Sequence, residues 1–203
     1  NMKNAIAGAV LLVCAVPTSV WANVCEQDPT TEYMKYDDVR DLDCSEIIGE
    51  LRLISRSIVD IEGLRNLTSV SGQLQIADTA LSHVDDLSSL TSVGSLVIQE
   101  NEFLDNVNGL AGLSHADWLE IRDNNSITNL EGFSGLSSVS SITLVGNSLL
   151  QDIKGLRSVT GDVGLVIEQT ALLNLDGLQG ITNVPTLRLG WNDFLIDFDA
   201  LSG

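Results

Sequence analysis

Residues 119–141 read LEIRDNNSITNLEGFSGLSSVSS, and the same plan can be laid over most of the chain. The stretch opens on an apolar–x–apolar triplet, Leu119-Glu-Ile121. Asn124 follows five residues after the first position, and then Ile127, Leu130, Phe133, Leu136 and Val139 come at intervals of three. Alternation with period two is that of a short strand with one buried face. Three-residue spacing suits tight, 3₁₀-like arcs that keep one side inward. Working outward, the triplet recurs as Leu51/Leu53, Leu74/Ile76, Leu96/Ile98, Ile142/Leu144, Leu165/Ile167 and Leu187/Leu189. Successive first residues lie 23, 22, 23, 23, 23 and 22 apart. Such self-similarity is read as a repeat solenoid, a parallel β-helix with one short strand per 22–23-residue coil and little α-helix outside an N-terminal cap.

The corner after each strand carries a second regularity. The position five past the triplet holds Arg56, Thr79, Asn101, Asn124, Asn147, Thr170 and Asn192. From an Asn the later Leu or Phe is nine residues away, as in Asn124 to Phe133; from Thr or Arg it is eight, as in Thr79 to Leu87. Asn coils therefore hold one more residue at this corner. A buried amide must satisfy main-chain groups to be tolerated, so Asn101, Asn124, Asn147, Asn192, Thr79 and Thr170 are expected to form a structural ladder between coils. Gly63, Gly109, Gly132, Gly155 and Gly177 precede the middle apolar residue, which calls for positive φ or for close approach of neighbouring coils.

The organisation expected is a signal peptide over 1–22, a cap segment over 23–43 and about seven coils over 44–203, with no C-terminal cap after Leu201. Lys3 supplies the basic start of the leader, Ala5 to Val16 its apolar run, and Val20-Trp-Ala22 its cleavage site. The run is too short for a membrane span. Lipidation of Cys14 is the alternative, disfavoured by Val13 before it. With the leader removed, Cys25 and Cys44 remain, and export makes a disulfide the expected state, closing a loop ahead of the coils.

Composition narrows the function classes. Hydrophobic residues make up 44% of the 203 residues and aromatics 4%, so the core is built from Leu, Ile and Val. The 28 acidic residues against 10 basic ones give a formal charge of −18, which repels nucleic acid and anionic lipid.

The stretch Cys44-Ser-Glu-Ile-Ile-Gly-Glu-Leu-Arg-Leu-Ile resembles the C-x-x-I-x-G-x-L-x-I opening of receptor L domains. The units Gly63 to Ile76 and Gly132 to Asn147 resemble their Gly-Leu-x-x-Leu-x-x-Val and Leu-x-Ile-x-x-Asn repeats. The resemblance covers about residues 44–203 and implies a leucine-rich-repeat-like, ligand-binding fold of an exported, secreted, periplasmic or cell-surface protein. It carries over no ligand-contacting motif, and the cysteine-rich modules that accompany receptor L domains are missing.

A search for chemistry returns little. His83 and His115 fall on different coils and read as surface or boundary residues. There is no nucleophile elbow and no phosphate loop. Asp85-Asp86 and the set Asp193, Asp197 and Asp199 read as solvated corners, because they do not recur in register as a calcium-binding solenoid requires. Asn66-Leu-Thr68 and Asn124-Asn-Ser126 match glycosylation acceptors, although Asn124 belongs to the ladder. No enzyme activity, cofactor or metal is expected. The outward mid-strand row, Arg52, Gln75, Val97, Glu120, Thr143, Val166 and Arg188, is the candidate binding face, flanked by Trp118, Arg122 and Trp191. It is too mixed for ice binding. Repeat proteins present their sheet as an extended face, so the expected role is a non-catalytic module that recognises a protein or glycan. The alternative is a structural or adhesive spacer of a longer surface protein.

Overall fold

The structure is a computed structural model that describes residues 23–28, 30 and 32–201; the expected leader and Cys14 lie outside these residues. Strands occupy Val24–Glu26 (β1), Met34–Lys35 (β2), Glu46–Ile48 (β3), Leu51–Ile54 (β4), Ser69–Ala77 (β5), Ser92–Gln99 (β6), His115–Arg122 (β7) and Ser141–Val145 (β8). Beyond them lie Gly161–Asp162 (β9), Gly164–Glu168 (β10), Ile181–Asn183 (β11) and Leu187–Gly190 (β12). One α-helical turn is described, Tyr36–Val39 (α1), in the segment read as a cap.

Ten strands make one large parallel sheet in the order β1-β3-β5-β6-β7-β8-β10-β12, with β2 joined through β4 to β5; β9 and β11 form a small second sheet. The register is the one that triplet alignment demands. Leu51 lies opposite Leu74, Leu74 opposite Leu96, Leu96 opposite Leu119, Leu119 opposite Ile142, Ile142 opposite Leu165 and Leu165 opposite Leu187. A slip of one residue would turn every apolar triplet outward, so burial fixes the pairing. β5 is longer than a triplet because it serves two ladders. Ser69 and Val70 pair with β3, Leu74 to Ala77 pair with β4, and the register against β6 shifts between Val70 and Gln73.

Between strands the chain makes short 3₁₀ turns, at Glu62–Leu64, Asp85–Leu87, Asn108–Leu110, Glu131–Phe133 and Lys154–Leu156. Each puts its Leu or Phe into the core. The glycines before these residues meet the close-approach requirement. Gly132 has an ordinary φ, and a Cβ built on it would run into the carbonyl oxygen of Val107 in the preceding unit. Gly177 is the exception, with both a φ of 116° and such a contact, to Ile153.

The core is one continuous apolar column running the length of the sheet. Leu74, Leu96, Leu119, Ile142 and Leu165 are fully buried, as is Phe133. Apolar side chains in register on neighbouring strands cover one another, so the buried face of each strand depends on the strands beside it. At the first end Cys25 and Cys44 are joined by a disulfide, and both are buried against the core. At the other end β12 has a single strand neighbour among the described residues, and Leu187 and Arg188 are exposed there. No described helix is long and apolar enough to cross a membrane.

Candidate functional site

The residues expected to form a ladder lie in one column at the corner that follows the strands. Asn101 is fully buried. Its Oδ1 accepts from the backbone N–H of Thr79 at 3.1 Å and from the Thr79 hydroxyl at 2.7 Å, and its Nδ2 donates to the carbonyls of Ile76 and Gln99 at 3.0 and 2.9 Å. Asn124 repeats the arrangement one unit on. Its Oδ1 accepts from Asn101 N–H at 3.1 Å, and its Nδ2 donates to Ile98 O and Arg122 O, both at 2.9 Å. Asn147 accepts from Asn124 N–H at 3.0 Å and donates to Ile121 O at 2.8 Å. Asn192, half-buried, accepts from Thr170 N–H and its hydroxyl and donates to Ile167 O. Thr79 and Thr170, one atom shorter, engage only the following Asn in this way. These side chains tie each unit to its neighbour and have no capacity left for a ligand.

The outward face of the sheet is organised in three rows. The middle row holds Arg52, Gln75, Val97, Glu120, Thr143, Val166 and Arg188, which lie side by side in register. Two members depart from the expected open surface. Val97 is only 9% exposed and Thr143 7%. Adjacent strands stand about 4.8 Å apart, so a short side chain between longer row neighbours is covered by them; Val97 sits between Gln75 and Glu120. The accessible part of the middle row is therefore Arg52, Gln75, Glu120, Val166 and Arg188.

The row before it is Gln73, Ser95, Trp118, Ser141 and Gly164. Trp118 is 50% exposed between two serines. Neighbours this small cannot cover an indole, and the ring stands clear of the sheet. Two residues along β7 on the same side, Glu120 Oε1 accepts from Arg122 Nε at 2.9 Å. Trp118, Glu120 and Arg122 form one patch at the middle of the sheet. Trp191 does not join them. It lies past the end of β12, three strands and five strand positions away, at φ 53°.

That φ belongs to a column that the sequence pattern hides. Asp78, Glu100, Asp123, Gln169 and Trp191 all have φ between 46° and 57°, and Gly146 occupies the same place at 72°. Each is the residue before a ladder Asn or Thr. The left-handed conformation turns the chain so that the next side chain points inward while the N–H still pairs with the next strand, as Glu100 N–H does with Arg122 O at 3.0 Å. Only the Asp residues and Gly146 carry a local hint of it.

Several other charged groups are paired locally. Arg56 Nε donates to Asp78 at 2.7 Å and Arg65 Nε to Asp86 at 3.0 Å, and these bonds raise both guanidinium pKa values. His83 and His115 stand 3.4 and 3.5 Å from Asp85 and Asp117, half-exposed at separate places on the surface. Among the described residues no three His, Cys, Asp or Glu side chains converge on a point where a metal could sit. Near the first end a cavity of about 280 Å³ is lined by Tyr33, Lys35, Tyr36, Arg52, Ser55 and Ser57 among others.

Compared with known proteins, the chain matches no family model and no curated protein.

Proposed function

We propose that this chain is an exported, leucine-rich-repeat-like solenoid of the receptor L-domain kind, and that it is a non-catalytic binding module whose sheet face recognises a protein or glycan. The observation that carries the reading is Trp118. An indole half in water beside a charged pair, in a row otherwise made of Gln, Ser and Gly, costs solubility that the strand beneath it does not require. Exposed aromatics next to Arg are the common anchors of interfaces. The 22–23-residue register supports the solenoid. The disulfide fits an oxidising compartment. The ladder supports a binding role indirectly, since it commits the buried polar groups to cohesion and leaves the outer rows to vary.

The test is a screen of glycans and surface proteins against the whole chain and against Trp118→Ala, Glu120→Ala and Arg122→Ala. All three side chains lie on the outer face, so the variants keep the unfolding midpoint within about 0.5 kcal/mol of the parent. Loss of a bound partner in Trp118→Ala supports the face. A partner whose binding survives all three substitutions rules it out.

A further inference from the structure

The first end of the same face holds an arrangement that stacking does not explain. Lys35 of β2 lies directly opposite Arg52 of β4. Like charges facing each other across neighbouring strands are destabilising, and here the pair occurs in a chain with nearly three acids for every base. Its local acids are already engaged. Glu50 accepts from Arg52 Nη2 at 3.2 Å, and Asp37 lies 3.2 Å from Arg40 Nη1. Lys35 has no ion-pair partner among the described residues. Arg52 is held across the ring of Tyr33, 4.4 Å from its centroid, and its buried Nε–H has no acceptor among the described residues. Both cations line the cavity of about 280 Å³, together with Ser55 and Ser57, whose hydroxyl groups bond each other at 2.7 Å, and with Asp37, which is paired with Arg40.

We infer that this cavity binds an oxyanion, through Lys35 and the guanidinium of Arg52. An anion placed there adds to the relief that Glu50 gives Arg52 and reaches Lys35 as well. A guanidinium already oriented by Glu50 and Tyr33 loses little side-chain freedom on binding, which is the condition for a charge-assisted bond to contribute net affinity. The ligand is either the carboxylate of an acidic sugar, whose hydroxyl groups would meet Ser55 and Ser57, or a free ion of sulfate or phosphate size. The acidic-sugar source rests on the reading of the sheet face as the binding surface. The oxyanion site itself lies three to four strands from Trp118, roughly 14–19 Å at ordinary strand spacing, and is tested separately.

The experiment is calorimetric titration of the whole chain with trigalacturonate, with its methyl ester, and with inorganic sulfate and phosphate. The acid trimer is expected to bind and the methyl ester not to. Lys35→Met, an exposed substitution, is expected to weaken binding about tenfold, as is Arg52→Lys, which keeps the charge but removes the planar guanidinium. Inorganic ions binding as tightly as the trimer would assign the site to the free ion; much weaker ions would assign it to the sugar acid. No binding of any oxyanion, equal binding of the ester, or full affinity in both variants overturns the inference. Trp118→Ala separates the two readings. It leaves oxyanion binding unchanged, while Lys35→Met leaves a Trp118-dependent partner bound.

Discussion

Replacing Asn124 with Ala removes one rung of the ladder at its most enclosed point. The lost amide takes with it two donors, to Ile98 O and Arg122 O, and the acceptor of both Asn101 N–H and Asn101 Nδ2. Asn124 and Asn101 are both fully buried, so water does not reach the groups left behind. An orphaned buried polar group costs about 1–3 kcal/mol; one backbone N–H and two carbonyls lose a partner, while Asn101 Nδ2 keeps its bonds to Ile76 O and Gln99 O. The carbonyls have a second lone pair that can stay in use, so the N–H sets the floor. The vacated volume adds a cavity cost. The expected loss is therefore about 3–4 kcal/mol, in the range of a broken buried network. Asn192→Ala is the matched control. It removes the same kinds of bond, to Thr170 and Ile167, from a half-buried position where water takes over, and is expected to cost about 1 kcal/mol. Urea unfolding followed by circular dichroism measures both, with the slope m checked for constancy so that the midpoint shift reports stability. Equal losses in the two variants, or a loss below about 1 kcal/mol for Asn124→Ala, would refute the idea that the buried amide holds the units together.

Three further outcomes are expected. Cys25→Ser with Cys44→Ser opens a loop of sequence separation 19 and lowers stability by about 3 kcal/mol on the chain-entropy account, read as a drop in unfolding midpoint that reducing agent reproduces in the parent and not in the double variant. Gly132→Ala drives a methyl group into the carbonyl of Val107 and costs about 1–3 kcal/mol by overpacking, whereas Gly161→Ala, with nothing within 4 Å and a φ of 91°, is limited to backbone strain; matching thermal shifts would contradict the close-approach account. Burial raises the Tyr36 hydroxyl above its ordinary 10.0, against a lowering bond from Gly63 N–H. The folded state then holds this proton more tightly than the unfolded one, so the contribution is complete below pH 10 and is lost as pH rises from there through the higher folded value. Tyr36→Phe is expected to flatten that alkaline limb in a pH series of melting curves, and an unchanged slope would remove Tyr36 as its source.

The parts of this fold that were legible in the sequence are those where side-chain chemistry and position must agree. A Leu-x-Ile triplet announces its buried face because alternation has no other use, and an Asn recurring among apolar neighbours announces a buried bonding role because water cannot serve it there. Gly132 left two possibilities open, positive φ or close approach, and only the stacking of Val107 against it decides for the second. The left-handed column was hidden for a different reason. Its φ is imposed by the need to pair one residue beyond the strand while turning the next one inward, and that demand comes from the neighbouring units. Asp78, Glu100, Asp123, Gln169 and Trp191 share a conformation without sharing a chemistry. The outer rows were half legible. Alternation placed Glu120 and Arg122 on the outside, but the burial of Val97 depends on the length of its row neighbours, Gln75 and Glu120. The cationic cavity went unseen because Lys35 and Arg52 are 17 residues apart and meet only when β2 pairs with β4.

This division bears on where information about a partner can reside. An inward position in a stacked parallel sheet is answerable to the units on both sides, so its residue type is held to Leu, Ile or Val, or to Asn and Thr at the corner. An outward position answers only to solvent and to its row. In the row of Trp118 the other members are Gln73, Ser95, Ser141 and Gly164, any of which is compatible with the strand beneath it. A residue that departs from its row and leaves half of a large ring in water is not explained by the strand beneath it. The same reasoning applies to a like-charge pair beside a cavity, of which Glu50 pairs with Arg52 alone. Trp118 and the Lys35–Arg52 pair are two places on this face where the outer residues work against the isolated protein, and a bound ligand is what would turn each of those costs into a gain.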